Sequence, residues 1–110
     1  MAVLIRKLDT SSISAGGYVD IVHAEPVDVK LKKVQVVEAT GASVNNVLMT
    51  FYVGDDPKVL PDVSARIFTG DYALLPELDI EIKAGVKITM RVTNNESAAR
   101  RLYIHLIYER

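Results

Sequence analysis

The sequence predicts an all-β protein, an antiparallel β-sandwich of jelly-roll-like form with about eight strands. Apolar and polar side chains alternate at a period of two through most of the chain, which is the pattern of half-buried strands rather than of helices. These runs follow one another at roughly even spacing without helices between them, as in sandwiches and jelly rolls. The 110 residues contain no internal repeat and no linker, so we expect a single domain over 1–110.

Residues that favour tight turns separate the predicted strands. Gly, Pro, Asp, Asn and Ser cluster in the segments 11–17, 24–26, 40–43, 54–62, 69–71 and 93–99. The strands are accordingly expected at 2–8, 17–24, 28–38, 45–54, 63–69, 77–83, 86–93 and 100–109. One short helical turn is expected, in the sequence DYALLPE at 71–77.

The third predicted strand, 28–38, changes the parity of its apolar residues midway. Three of these residues precede the change and two follow it: Val27, Val29, Leu31, Val34 and Val36. A β-bulge at Lys32-Lys33 would bring all of them to one face of the sheet. The alternative is that the strand changes its buried face at this point. In either case the adjacent lysines would discourage pairing at a sheet edge.

The stretch LDIEIKAGVKITMRV at 78–92 contains two alternating runs on either side of a small-residue break, Ala84-Gly85. If the two runs form a hairpin, a three-residue loop sets Ile82 beside Ile88 and keeps both on one face. The alternative is a crossing from one sheet of the sandwich to the other. In both cases the apolar residues of the runs are expected to face inward: Leu78, Ile80, Ile82, Val86, Ile88, Met90 and Val92.

The residues give no support for an enzyme. The chain has no cysteine, which excludes a thiol nucleophile, a disulfide scaffold and a thiolate metal site. Its two histidines, His23 and His105, are distant in sequence, and each lies in a predicted strand. No serine stands in the sequence context of a nucleophile elbow. We therefore expect a non-enzymatic protein with no catalytic residue and no cofactor.

The acidic loop 54–62 is the candidate for a metal site. Asp55, Asp56 and Asp62 could offer the oxygen ligands that Ca²⁺ prefers. Asp-Asp-Pro is also an ordinary turn sequence, because Asp bonds nearby backbone and Pro fixes φ. The loop lacks the alternating acidic spacing and the closing Glu of an EF-hand. The plain turn is the favoured interpretation, so no metal is expected.

Charge and hydropathy argue against two classes of partner. The formal net charge is −1 and the short basic stretches are not interleaved with aromatic residues, so no nucleic acid is expected. No segment approaches the ~20 apolar residues of a membrane span. The apolar run at 2–5 is too short for a signal peptide, and the basic residues follow it rather than precede it. These features predict a cytoplasmic protein.

Three predicted strands, 2–8, 45–54 and 100–109, are apolar on both faces. A strand of an antiparallel sandwich commonly keeps one solvated, polar face. The second face of these strands is therefore expected to be covered, either by the protein's own loops or by another subunit. We favour a subunit interface, whose side chains are exposed in the isolated chain and covered in the assembly. The candidate interface residues are Leu4, Tyr103, His105 and Ile107.

The order of the predicted strands and two C-terminal segments, ELDIEIKAGVKITMRVTNNES and RRLYIHLIYER, resemble the small jelly-roll proteins that build or decorate virus and phage particles. In that family the sandwich is a building block whose edges and loops contact neighbouring subunits. The resemblance implies a self-assembling structural protein of the virion, either a homo-oligomer or a binder of other structural subunits. At 110 residues the chain is short for a shell-forming member, which favours a minor capsid, vertex or decoration role.

A second class stays open, a sandwich module that binds carbohydrate or another ligand. Such modules stack sugar rings on exposed aromatic side chains. Because the chain has no tryptophan, its tyrosines would have to form that platform: Tyr18, Tyr52, Tyr72, Tyr103 and Tyr108.

Overall fold

A computed structural model describes residues 3–57 and 63–110 of the chain. Its strands are β1 (Val3–Ile13), β2 (Tyr18–Ala24), β3 (Val29–Glu38), β4 (Val47–Val53), β5 (Asp56–Pro57), β6 (Val63–Ser64), β7 (Ile80–Ile82), β8 (Lys87–Asn94) and β9 (Arg100–Glu109). Two 3₁₀ turns lie between β6 and β7, at Ala65–Phe68 and Tyr72–Leu74. The described residues contain no α-helix.

The strands form two antiparallel sheets. The first sheet has the order β1-β9-β3-β7, and the second has the order β2-β8-β4-β5, with β6 also paired to β4. Six of the connections between successive strands cross from one sheet to the other, and only the short strands β5 and β6 follow β4 within the same sheet. This is a jelly-roll arrangement, in which strands distant in sequence become neighbours. The prediction of an all-β antiparallel sandwich is confirmed.

The core lies between the two sheets, where their inward side chains meet. Phe51 of the second sheet packs edge-to-face on Phe68 of the first 3₁₀ turn, with ring centroids 5.6 Å apart. The central strands β8 and β9 supply every second residue to this core, as their alternation predicts. Its fully buried large side chains are Leu31, Val34, Met49, Phe51, Phe68, Ile82, Ile88, Met90, Leu102, Ile104, Leu106 and Tyr108.

The predicted bulge in the third strand is confirmed. The register between β3 and β9 shifts between Leu31 and Lys33. Residues on both sides of the shift therefore enter the same core, where Val29, Leu31, Val34 and Val36 are buried.

The stretch 78–92 crosses between the sheets, so the hairpin interpretation is wrong. β7 pairs with β3 in the first sheet, whereas β8 pairs with β2 and β4 in the second. The inward set is nevertheless correct, since Ile82, Ile88, Met90 and Val92 are buried and the remaining apolar members pack against the core. Parity identifies the buried face of each run. It does not identify the partner strand, because both sheets bury the same kind of face.

Two predicted boundaries are also wrong. The strand expected at 63–69 is limited to Val63–Ser64 and continues as the 3₁₀ turn Ala65–Phe68. Ala65 and Phe68 are both buried, a spacing of three that fits a 3₁₀ turn and not a strand. The first strand extends to Ile13, into the segment 11–17 that the sequence predicts to be a turn. Its register with β9 shifts between Asp9 and Ser12, and pairing with β9 then resumes. The helical turn expected within 71–77 is present at Tyr72–Leu74.

The polar loop after β8 is held by Asn94. This side chain is fully buried, and its Nδ2 donates to the carbonyl oxygens of Ile13 at 2.9 Å and Ala98 at 3.0 Å. Its Oδ1 accepts from the backbone N–H of Glu96 at 2.9 Å. A buried amide with all these partners fixes a loop in one conformation. The polar side chain of Asn94 therefore has a structural role in this loop.

Candidate self-association surface

The outer face of the first sheet carries the side chains of β1, β9 and β3 that point away from the core. The strand register aligns them in rows across the sheet: Ile107 lies between Ile5 and Lys33, and His105 lies between Lys7 and Gln35. The face is formed by Val3, Ile5, Lys7, Asp9, Lys33, Gln35, Val37, Arg101, Tyr103, His105 and Ile107.

The chain itself covers part of this face with the segment 69–78, here called the covering segment. Gln35 Nε2 donates to the carbonyl oxygen of Gly70 at 2.8 Å, and Lys33 Nζ donates to that of Tyr72 at 2.8 Å. The Lys33 ammonium also lies 4.4 Å from the centroid of the Tyr72 ring. At the end of the segment, the backbone N–H of Leu78 donates to Lys32 O at 2.8 Å. One edge of the face is thus closed by an internal loop.

The structure corrects two expectations about the candidate interface residues. Ile107 is only 4 % exposed, so it is already buried in the isolated chain. Leu4 points inward and packs against the core, while its neighbours Val3 and Ile5 point outward. Sequence could not decide between these faces, because the start of β1 is apolar at both parities. Tyr103, half-buried, does lie on the outer face.

His105 also lies on the outer face and is half-buried. Its Nδ1 atom is buried, with no hydrogen-bond partner among the described residues. The other histidine, His23, belongs to β2 in the second sheet. The two imidazoles are therefore on different sheets and form no joint site.

The part of the outer face that the covering segment leaves open is apolar at three positions. Val3 is 63 % exposed, Ile5 is 58 % exposed and Val37 is 44 % exposed. Val3 and Ile5 are neighbours on this face of β1, whereas Val37 lies on β3 in the row of Tyr103 and Asp9. Exposed aliphatic side chains that lie together, as Val3 and Ile5 do, mark interaction surfaces in soluble proteins.

The charged groups beside these positions are paired within the chain. Tyr103 has the Lys7 ammonium 4.4 Å and the Arg101 guanidinium 5.5 Å from its ring centroid. Arg101 also donates to both carboxylate oxygens of Asp9, at 3.0 and 2.5 Å. The hydrogen bond from Arg101 is the main cause that lowers the pKa of Asp9 to about 2. The surface therefore carries charges that already have partners.

β1 is a free edge of the first sheet, since β9 is its only partner among the described strands. Its Arg6 turns inward, where Nε and Nη2 donate to the Glu25 carboxylate at 3.1–3.2 Å. The same carboxylate, whose side chain is 1 % exposed, is bonded to His23 Nε2. Burial raises the pKa of Glu25, but the hydrogen bonds from Arg6 and His23 outweigh it and hold that pKa below its usual value. This cluster connects β1 to the end of β2 through side chains.

The five tyrosines do not form one platform. Tyr108 is fully buried, and burial raises the pKa of its hydroxyl. Tyr72 and Tyr103 lie on the side of the first sheet, whereas Tyr18 and Tyr52 lie on the outer face of the second. On that second face Tyr18 is 60 % exposed, and its ring centroid is 4.8 Å from the guanidinium of Arg91.

The acidic loop shows no metal cluster in its described part. Asp55 and Asp56 are exposed, and Asp62 lies outside the described residues. No group of three or more His, Cys, Asp or Glu side chains suited to a metal ion occurs in residues 3–57 and 63–110. Within the same residues, no helix has the length and apolar character needed to cross a membrane.

Comparison of the chain with protein-family models, with curated proteins and with solved structures gives no match in any of the three.

Proposed function

We propose that this chain is a non-enzymatic structural protein that assembles into homo-oligomers through the edges and outer faces of its β-sandwich. The setting we propose is a virus or phage particle, with the chain as a minor capsid, vertex or decoration subunit. That setting rests on the family resemblance alone.

The observation that carries the proposal is the exposed apolar start of β1 at a free sheet edge. Val3 and Ile5 are more than half exposed on the outer face, and among the described strands β1 has no partner on its other side. Unpaired strand edges are templates for pairing with another chain. Exposed apolar surface beside such an edge adds a hydrophobic gain when a second chain covers it.

The electrostatics of this surface favour its burial. Isolated charges are costly to bury, whereas paired and hydrogen-bonded charges cost much less. Arg101 is already paired with Asp9, and Arg6 with Glu25. A second subunit can therefore cover these two arginines without leaving either of them unpaired.

Light scattering coupled to size-exclusion chromatography tests the proposal. We expect the wild-type chain to be an oligomer whose mass follows protein concentration. Ile5→Lys should return it to a monomer, because lysine at an edge opposes strand pairing. The fold should survive this change, since Ile5 is 58 % exposed.

Val22→Lys is the matched control for that experiment. Val22 is 55 % exposed on β2, the long edge strand of the second sheet, and the same charge there should leave the oligomer intact. A wild-type chain that remains monomeric, or an oligomer indifferent to Ile5→Lys, contradicts the proposal.

Tyr18 favours a second candidate function, carbohydrate binding on the outer face of the second sheet. One side of its ring lies on Arg91, which is held by two hydrogen bonds to Asp20 at 2.8 and 2.9 Å. The exposed ring could stack against a sugar. Calorimetric titration with a panel of oligosaccharides should then show binding that Tyr18→Ala abolishes and Tyr72→Ala, at a 53 % exposed position, preserves. Absence of heat with every sugar excludes this candidate.

A further inference from the structure

We infer that β1 pairs antiparallel with β1 of a second copy, about a two-fold axis that passes beside Ile5, and joins the two first sheets into one continuous sheet. This inference rests on the proposed self-assembly and specifies its geometry. It names the contact as backbone pairing at an edge rather than stacking of outer faces.

The first half of β1 has the regular backbone that such pairing needs. Val3–Asp9 pairs with β9 residue by residue, and the register becomes irregular only between Asp9 and Ser12. Ser11, within that irregular part, has a φ of 58°. In an antiparallel pair, alternate N–H and C=O groups point away from the partner strand. Half of the backbone N–H and C=O groups of Val3–Asp9 therefore point away from β9, beyond the free edge of the sheet.

The features that normally protect an edge are ineffective in Val3–Asp9. This segment contains neither proline nor glycine. Its two basic side chains are exposed, but both have contacts within the chain, since Arg6 binds Glu25 and Lys7 lies over Tyr103. Long edge strands that present no such guard are sites of pairing with another chain.

The other edges are less suitable. β7, at the opposite edge of the first sheet, has three residues, and β5 in the second sheet has two, one of them Pro57. β2 is long enough, with seven residues, but the charged Asp20 separates its exposed apolar side chains, Tyr18 and Val22. On β1 the exposed Val3 and Ile5 are consecutive on the outer face.

Charge limits the possible registers. In a two-fold antiparallel pair one residue lies opposite itself, and its neighbours lie opposite each other. A centre at Arg6 or Lys7 would set like charges directly opposite, which is destabilising. A centre at Leu8 would draw the irregular stretch between Asp9 and Ser12 into the pairing.

A centre at Ile5 avoids both difficulties. It pairs the whole of Val3–Lys7, whereas a centre at Leu4 pairs only Val3–Ile5 among the described residues. The Ile5 side chain then meets the partner's Ile5 on the outer face, and Val3 lies opposite the partner's Lys7. Both exposed aliphatic side chains become covered, and no like charges meet. This self-complementarity is why we assign the edge to a second copy of the same chain.

Single cysteines test the register, because the native chain has none. Side chains directly opposite in an antiparallel pair have Cβ atoms about 4.5–5.5 Å apart, close to what a disulfide requires. Under mild oxidation, Ile5→Cys should form a covalent dimer, and Val37→Cys and Val22→Cys should not. Val37 is the control for face stacking, since it lies on the same outer face but on the interior strand β3. Faster cross-linking through Val37 or Val22 overturns the inference.

Amide hydrogen exchange tests the backbone pairing itself. In a monomer only alternate amides of Val3–Asp9 are bonded to β9. Edge pairing should also protect the amides of Val3–Lys7 that point away from β9. Their exchange should slow by at least about tenfold at protein concentrations where light scattering shows the oligomer. An oligomer that loses its mass on Ile5→Lys but leaves these outward amides unprotected overturns edge pairing and leaves the proposed function standing. A chain that is monomeric throughout overturns both.

Discussion

At the scale of single residues, the described part of the chain gives almost every buried charge a defined set of partners. Glu38 is the clearest case, because its carboxylate organises the turn after β3. It accepts from the backbone N–H of Thr40 at 2.6 Å and of Ala42 at 3.1 Å, from Thr40 Oγ1 at 2.5 Å and from the Arg101 N–H at 3.3 Å. Burial raises the pKa of this carboxyl, but these hydrogen bonds outweigh it and hold the pKa at about 2.

Glu38 should therefore make stability depend on pH in acid. Its folded-state pKa of about 2 lies below the ordinary value of 4.5, so its contribution is complete above that ordinary value and is lost as pH falls toward 2. We expect Glu38→Gln to lower the free energy of unfolding at pH 7 by about 2–3 kcal/mol, and to lower it much less at pH 2.5. Urea melts at both pH values measure this.

Glu81→Gln is the control for that experiment, since Glu81 is exposed on β7. The change there should stay within about 0.5 kcal/mol at either pH. Equal losses at pH 7 and pH 2.5 for Glu38→Gln would show that the carboxylate is not what holds the turn.

At the scale of elements, alternation predicts which face of a strand is buried and leaves open which strand it pairs with. The inward set of 78–92 was predictable from parity, but the crossing at Gly85 depends on hydrogen bonds to a distant loop: the Gly85 N–H donates to Glu25 O at 2.8 Å. The 3₁₀ turn Ala65–Phe68 was missed because four residues are too few to establish a period of three.

The candidate surface was predictable only in part for the same reason. Both parities of β1 are apolar at its start, so sequence could not tell that Leu4 faces the core and Ile5 faces solvent. Ile107 is buried beside Lys33, the β3 residue that binds the covering segment, and such long-range contacts leave no periodic signal. The single signal available was that three strands are apolar on both faces, and two of these strands, β1 and β9, form part of the outer face described above.

The burial of β8 leads to a direct prediction. Ile88 is fully buried between the sheets, so Ile88→Ala should lower the free energy of unfolding by about 2–5 kcal/mol through lost transfer energy and a cavity. Val22→Ala, at a 55 % exposed position, should change it by less than about 1 kcal/mol. Denaturant melts compare the two. A loss below about 1 kcal/mol for Ile88→Ala is incompatible with the packing described.

The covering segment leads to a second prediction at this scale. Ile107 is 4 % exposed, so Ile107→Glu places a carboxylate in an apolar site and should destabilise the monomer by several kcal/mol, on the order of 3–5. Ile5→Glu, beside it in the sheet, should leave the monomer's stability nearly unchanged. Thermal melts at low protein concentration separate the two positions. If both variants melt like the wild type, the covering segment does not exclude water from β9.

At the scale of the whole molecule, the jelly roll is built from contacts between strands that are distant in sequence. β1 lies beside β9, and β2 lies beside β8, so each sheet pairs the start of the chain with its end. Folds dominated by such non-local pairings fold in milliseconds to seconds, because the loops must close before the contacts form. The same arrangement leaves β1 at an edge, where the proposed second copy would bind.

The position of β9 also has a consequence for synthesis in the cell. β9 is the last strand of the domain, yet it lies between β1 and β3 in the first sheet. A ribosome releases the chain from its N-terminus, so β1 and β3 emerge long before the strand that joins them. Until β9 leaves the exit tunnel, β1 has no strand partner in its own sheet, and β3 has only the short strand β7. The first sheet can therefore form only after β9 has been synthesised, and a nascent chain that stalls before residue 100 would display β1 with both of its edges free.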